Sequence, residues 1–120
     1  MGNFQELKVW QKGKELAVYI YQITQSGPLA KDYGLKDQMQ RSAVSIPSNI
    51  AEGDELDTSK QAIRHFFIAK GSSAELLTQS IIAYEIGHID EEAYLHVKAE
   101  CESISSMMYK LIQVRNRNIR

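Results

Sequence analysis

Apolar residues recur along this chain at steps of three and four, the spacing that gathers one face of an α-helix. The first run passes through Leu16, Ile20 and Ile23. It opens near Asn3, whose side chain can accept from free backbone N–H groups, with Glu6 three residues on completing a capping box. Ser26-Gly27-Pro28 closes it. A second run, Leu35, Met39, Ala43, Ile46 and Ile50, lies on one helix face and reaches Gly53, read as its stop. Thr58 and Gln61 have capping-box spacing and open a third helix, after a charged stretch from Glu52 to Asp57 read as a solvated turn. Its apolar positions form two seams: Ile63, Phe67, Ala74, Leu77, Ile81 and Tyr84 on one, Phe66, Ala69, Leu76 and Ala83 on the other. Beyond Gly87, Asp90 can cap a fourth helix that carries Glu91 and Glu92 in its first turn and Val97, Cys101, Ile104, Met108 and Leu111 along its seam.

No stretch alternates cleanly between apolar and polar, so the pattern predicts an all-α fold with helices over about 4–25, 35–53, 58–87 and 90–115. Short connections favour antiparallel neighbours, and an up-down-up-down four-helix bundle is the economical arrangement. The connection from Ser26 to Gly34, with Pro28 inside it, reads as an extended strap. Pro47 lies inside the second helix pattern, where the missing N–H and the ring clash cost about 3 kcal/mol. Burying Ile46 and Ile50 contributes about 1.5–3 kcal/mol each, so a kinked helix continuing past Pro47 is the favoured reading and a break at Ile46 the alternative.

Composition then narrows the picture. At 120 residues, 43% of them hydrophobic, the chain fits one domain spanning residues 1–120 with one core. No apolar run reaches the roughly 18 residues of a membrane span, and no signal-peptide pattern stands at the start, so the reading is cytoplasmic. Cys101 stands alone, and no Cys-x-x-Cys, His-x-x-x-His, P-loop or glycine-rich dinucleotide motif is present; neither metal nor cofactor is expected. His65, His88 and His96 are scattered, without carboxylate or cysteine at ligand spacing, and no catalytic residues are assigned.

Two polar stripes and one basic set remain as candidate sites. Arg41, Ser45, Asn49 and Glu52 step along the second helix, and Ser72, Glu75 and Gln79 along the third. They are either wet borders of amphipathic helices or a polar network buried between them. The net charge of −1 exerts no global pull on nucleic acid, but Lys110, Arg115, Arg117 and Arg120 form a tail without acids, and Lys8 with Lys12 adds a patch on the first helix. These six cations are the candidate nucleic-acid contacts; a solvated, frayed terminus is the competing reading. Phe4, Trp10, Tyr19, Tyr21, Tyr94 and Tyr109 are more aromatic groups than one thin bundle readily buries, which points to a homo-oligomer.

Particular segments also resemble a known family. They are Phe4-x-x-Leu7-x-Val9-Trp10-Gln11-Lys12, Tyr33-Gly34-Leu35-x-x-Gln38, the run from Arg41 through Ser45-Ile46-Pro47-Ser48-Asn49-Ile50-Ala51-Glu52-Gly53, and Ile68-Ala69-x-Gly71-Ser72-x-x-Glu75-Leu76. Together they are similar to the bacterial four-helix-bundle family encoded in intervening sequences of 23S rRNA genes, also labelled S23 ribosomal protein. The resemblance implies a homopentameric bundle related to the accessory variability determinant of diversity-generating retroelements, a basic pentamer that engages nucleic acid. Arg41, Ser45, Asn49, Glu52, Ser72 and Glu75 match the family's polar positions and imply a shared structural network. The functional expectation is a non-catalytic oligomeric module that binds RNA or DNA as an accessory factor. The alternative is a protein-interaction scaffold without nucleic-acid affinity.

Overall fold

The structure, a computed structural model, describes residues 3–56 and 58–117. A short 3₁₀ turn over Phe4–Glu6 precedes α1 (Lys8–Ile23), α2 (Gly27–Lys31), α3 (Tyr33–Glu55), α4 (Ser59–Glu85) and α5 (Glu91–Asn116). The fold is all-α: four long helices with one short one, and no strand among the described residues. They form a rod of 50 × 22 × 18 Å. No described helix is long and apolar enough to cross a membrane.

The local signals that worked are the caps of α4 and α5. Thr58 Oγ1 accepts from the Gln61 backbone N–H at 3.2 Å, and Asp90 Oδ1 from that of Ala93 at 2.8 Å. Asn3 makes no such bond, and the first helix begins at Lys8 instead of near residue 4. The reason lies in packing: Leu7 turns to an extended conformation and its side chain joins the core, while Phe4 folds back onto Trp10 with ring centroids 5.3 Å apart. The expected extended strap is also corrected. Pro28 stands in the first turn of α2, where its missing N–H would have had no helical partner anyway, and this lets Leu29 reach the core fully buried.

α3 starts at Tyr33, capped by Asp32 Oδ1, which accepts from the Leu35 N–H at 3.2 Å. It runs without interruption through Pro47 and past Gly53 to Glu55. Pro47 is buried against α1 at Gly13, where a methyl group would stand 3.0 Å from Ile46 Cγ2 and 3.5 Å from Pro47 Cδ. Gly53 is therefore not a helix stop. A methyl group there would stand 2.6 Å from Phe66 Cε1, 2.9 Å from Cδ1 and 3.1 Å from the Ala62 carbonyl oxygen. The residue is glycine because the largest fully buried ring of the core occupies its side-chain space.

The core runs the length of the rod: Leu16 and Ile20 from α1, Leu29 from α2, Met39, Ile46 and Ile50 from α3, Phe66 and Leu76 from α4, and Val97, Ile104 and Met108 from α5. Of the two expected seams on the third helix, the one through Phe66, Ala69, Leu76 and Ala83 is buried. The other lies toward the surface: Ile63, Leu77, Ile81 and Tyr84 are half-buried, while Ala74 is exposed and Phe67 is 57% exposed. Contacts between neighbouring helices run in opposite senses. Ser42, Ser45 and Asn49 of α3 meet Gln79, Ser72 and His65 of α4, while Lys12 and Tyr19 of α1 meet Glu100 and His96 of α5. Both described chain ends therefore lie at one end of the rod, with the end of α3 and the start of α4.

The Gly53 contact yields a test with a definite sign. In an open helix Gly→Ala stabilises by about 1 kcal/mol. Here Gly53→Ala is expected to destabilise by about 1–2 kcal/mol, because overpacking of a close-fitted core outweighs propensity. Phe66→Leu should cost less in the Gly53→Ala background than in the parent, since it removes the clashing ring edge. Denaturant midpoints at fixed protein concentration give both values, and a rise on Gly53→Ala would contradict the contact.

Candidate functional site

The polar stripes of the two central helices meet. Ser72 Oγ donates to Ser45 Oγ at 2.8 Å, and Asn49 Nδ2 donates to the Ser45 carbonyl at 2.9 Å and to Ser45 Oγ at 3.0 Å. Because Asn49 uses its amide nitrogen toward a carbonyl, its Oδ1 is the atom 2.9 Å from His65 Nδ1, and that ring nitrogen must carry the proton. One α4 heptad beyond Ser72, Gln79 Oε1 accepts from Ser42 Oγ at 2.7 Å. His65, Ser72 and Gln79 are seven residues apart in turn, which returns each side chain to the same α4 face. The stripe is thus a polar seam, with Ser42, Ser72 and Gln79 buried and Ser45, Asn49 and His65 half-buried.

Not every expected member joins it. Arg41 pairs with Asp37 at 3.0 Å on the outside of α3, its side chain 80% exposed. Glu75 is exposed; with Arg41 it lines a shallow cleft of about 290 Å³ over Ser42, Ser45 and Gln79. Glu52 Oε2 stands 3.5 Å from His65 Nδ1, at the solvent edge. Sequence reading missed Ser42 and His65. The signal for His65 was the heptad step back from Ser72, masked by its treatment as one of three scattered histidines.

The six candidate cations separate into two groups. Lys12 Nζ is 3.2 Å from Glu100 Oε1 and ties α1 to α5. Arg115 Nη2 is 2.9 Å from Asp54 Oδ1, and its guanidinium lies 5.3 Å over the Phe66 ring. The Asp54 side chain is only 4% exposed, so this pair is structural, and removing Arg115 would strand a buried charge. Lys12 and Arg115 are thus each held by a carboxylate of another helix, and α5 stays helical through Asn116. Lys8 and Lys110 are exposed and line one apolar groove of about 430 Å³ with Leu7, Val9, Met107, Leu111 and Val114. Arg117 is exposed just past the end of α5, and Arg120 lies outside the described residues.

The remaining reactive groups have local roles. Cys101 is buried on the α5 seam, and burial pushes its thiol up to about 11, which suppresses the nucleophilic thiolate near neutral pH. His88 Nε2 lies 3.2 Å from Asp32 Oδ2, joining the loop after α4 to the start of α3, and His96 packs on Tyr19 with centroids 4.4 Å apart. Among the described residues, no three His, Cys, Asp or Glu side chains gather as a metal site.

These features define a helical-bundle protein whose organised polar groups bind one another across the central helix pair. Residues 5–110 match the family of 23S rRNA-intervening sequence proteins, and the chain belongs to that family. It is also similar in fold to a crystal structure, at 1.70 Å resolution, of a protein of unknown function from the S23 ribosomal protein family of Bacteroides thetaiotaomicron. That likeness has a TM-score of 0.80 at 23% identity and covers 87% of this chain and 97% of the other. No curated protein matches the sequence.

The seam makes Asn49→Ala informative. The change removes bonds to Ser45 and His65 and is expected to lower stability by about 1 kcal/mol. An asparagine on a plain solvated face would instead gain up to about 0.7 kcal/mol from helix propensity. Chemical denaturation beside the parent, at one protein concentration, decides by the direction of the midpoint shift.

Proposed function

We propose that the protein is a non-catalytic, self-associating helical module of the cytoplasm that binds RNA or DNA as an accessory factor. The observation that carries this reading is the placement of Lys8 and Lys110 on one groove, with Arg117 at the adjoining end of α5. None of the three makes an ion pair with a described residue, so each can neutralise a phosphate without first breaking a protein contact. Three cations per chain are a modest footprint. Assembly multiplies it, and the family resemblance implies five subunits.

Self-association has its own support. The outer side of α4 carries Phe67, Ile68 and Ile82, followed by Ile86 at its C-cap, each between 45% and 57% exposed, around the exposed small residues Gly71 and Ala74. An apolar stripe of this kind on a water-facing helix is what subunit contacts use. Among the aromatic groups expected to mark such contacts, Phe4, Trp10, Tyr19 and Tyr94 are half-buried within the chain, and Tyr21 and Tyr109 stay exposed. The same stripe favours a second reading, a protein-interaction scaffold with no affinity for nucleic acid.

Two measurements separate these. Light scattering at micromolar concentration is expected to give a mass several times 13.6 kDa, and Phe67→Glu to lower it; a monomeric parent would remove the assembly. Retention of single-stranded RNA at low salt is expected to fall steeply with added salt, with a log–log slope of about −0.7 per phosphate contacted. Lys8→Gln with Lys110→Gln should weaken retention about uniformly across sequences. Absence of retention by the parent leaves the scaffold.

A further inference from the structure

A second set of cations stands at the same end of the rod, on a different helix. Lys60 and Arg64 are one turn apart on the exposed side of α4, and neither pairs with a described carboxylate. With Gln61, His65, Leu56 and Ile63 they line a cleft of about 570 Å³, the size range of small-ligand sites. Among the described residues, no carboxylate lines it. Of the α3 acids, Glu52 approaches the Nδ1 side of His65, where Asn49 already accepts, and exposed Glu55 directly precedes Leu56. Nε2, on the other side of the ring, has no partner among the described residues.

We propose that this cleft binds phosphate groups of a nucleic-acid backbone. Arg64 offers the planar fork that matches two phosphate oxygens, Lys60 a point charge one turn away, and the Gln61 amide supplies a hydrogen bond. Leu56 and Ile63 form an apolar wall that limits water around these donors and gives a sugar or base a surface to lie on. The chemistry of the lining selects an oxyanion. A polymer is favoured over a single anion because Lys60 and Arg64 share their end of the rod with Lys8, Lys110 and Arg117. That end has a cross-section of 22 × 18 Å, wide enough for several phosphates of one strand.

This inference rests on the nucleic-acid reading above, and the experiment keeps the two apart. Fluorescence anisotropy with a mixed-sequence single-stranded RNA would be followed across a salt series for the full chain and three double variants. Lys60→Gln with Arg64→Gln is expected to weaken binding about tenfold at low salt and reduce the slope by about 1.4, the share of two phosphates. Both side chains are exposed, so melting temperature and light scattering should match the parent. Lys60→Arg with Arg64→Lys keeps the charge and should stay within about threefold of the parent. If the Gln pair binds like the parent while Lys8→Gln with Lys110→Gln does not, the cleft is no phosphate site and the chain-end reading survives. If the parent binds no RNA, both readings fall. Inorganic phosphate serves as the other probe: if it raises the melting temperature of the parent but not of the Gln pair, and RNA shows no dependence on the cleft, the site is one for a free anion and the backbone assignment is overturned.

Discussion

The ring of Phe66 occupies the space a side chain at position 53 would need, and much of the termini-bearing end follows from that contact. With the α4 ring against the α3 backbone, the Arg115 guanidinium lies over the ring and reaches the buried carboxylate of Asp54. Three helices are thereby joined through one aromatic side chain. The apolar part is insensitive to salt, and the ion pair is shielded from it by burial. α5 is helical to Asn116, so Lys110 is carried on an anchored helix, with Arg117 just past its end. The start of α4, with Lys60 and Arg64, is placed by the same contact.

Along the rest of the central helix pair the constraint is polar. An apolar seam alone tolerates sliding, because one aliphatic side chain substitutes for another at little cost. The bonds from Ser42 to Gln79, Ser72 to Ser45 and His65 to Asn49 do not. A shift of α4 by one residue would turn all three donors or acceptors away by about 100° and take from Ser72 and Gln79, both buried, the partners they have on α3. The seam therefore acts on register more than on net stability, since each bond replaces one to water.

What was legible in the sequence was what depends on near neighbours. Thr58 with Gln61 and Asp90 with Ala93 are complete within four residues, and both caps form where the spacing put them. The 3.6 period likewise located the buried faces of the long helices. Misreadings came where a residue's reason lies elsewhere in the fold. Gly53 looks like a stop until Phe66, thirteen positions on, explains the missing side chain. Arg115 looks like part of a tail until Asp54 is found beneath it. Pro28 looks like a helix breaker, although at the first turn of α2 it breaks nothing. Phe67 fitted an apolar seam by spacing, but a helix with one face against α3 and another against α5 has no inner position left for it.

Charge shows the same contrast between count and placement. Lys12 and Arg115 are used inside the bundle, each against a carboxylate on another helix, and so leave the set of available cations together with Glu100 and Asp54. Such cancellation removes equal numbers of both signs and does not alter the net −1. It does change where charge remains. At the end where the chain termini meet, Lys8, Lys60, Arg64, Lys110 and Arg117 have no ion-pair partner among the described residues and stand with the exposed carboxylates of Glu6, Glu52 and Glu55, whereas Asp90, Glu91 and Glu92 cluster at the start of α5, at the opposite end. A rod 50 Å long separates the two by several screening lengths at physiological salt, about 8 Å each. The carboxylates at the start of α5 therefore do little to change the field at the far end, and a polyanion approaching the termini responds to the charges gathered there rather than to the sum over the chain.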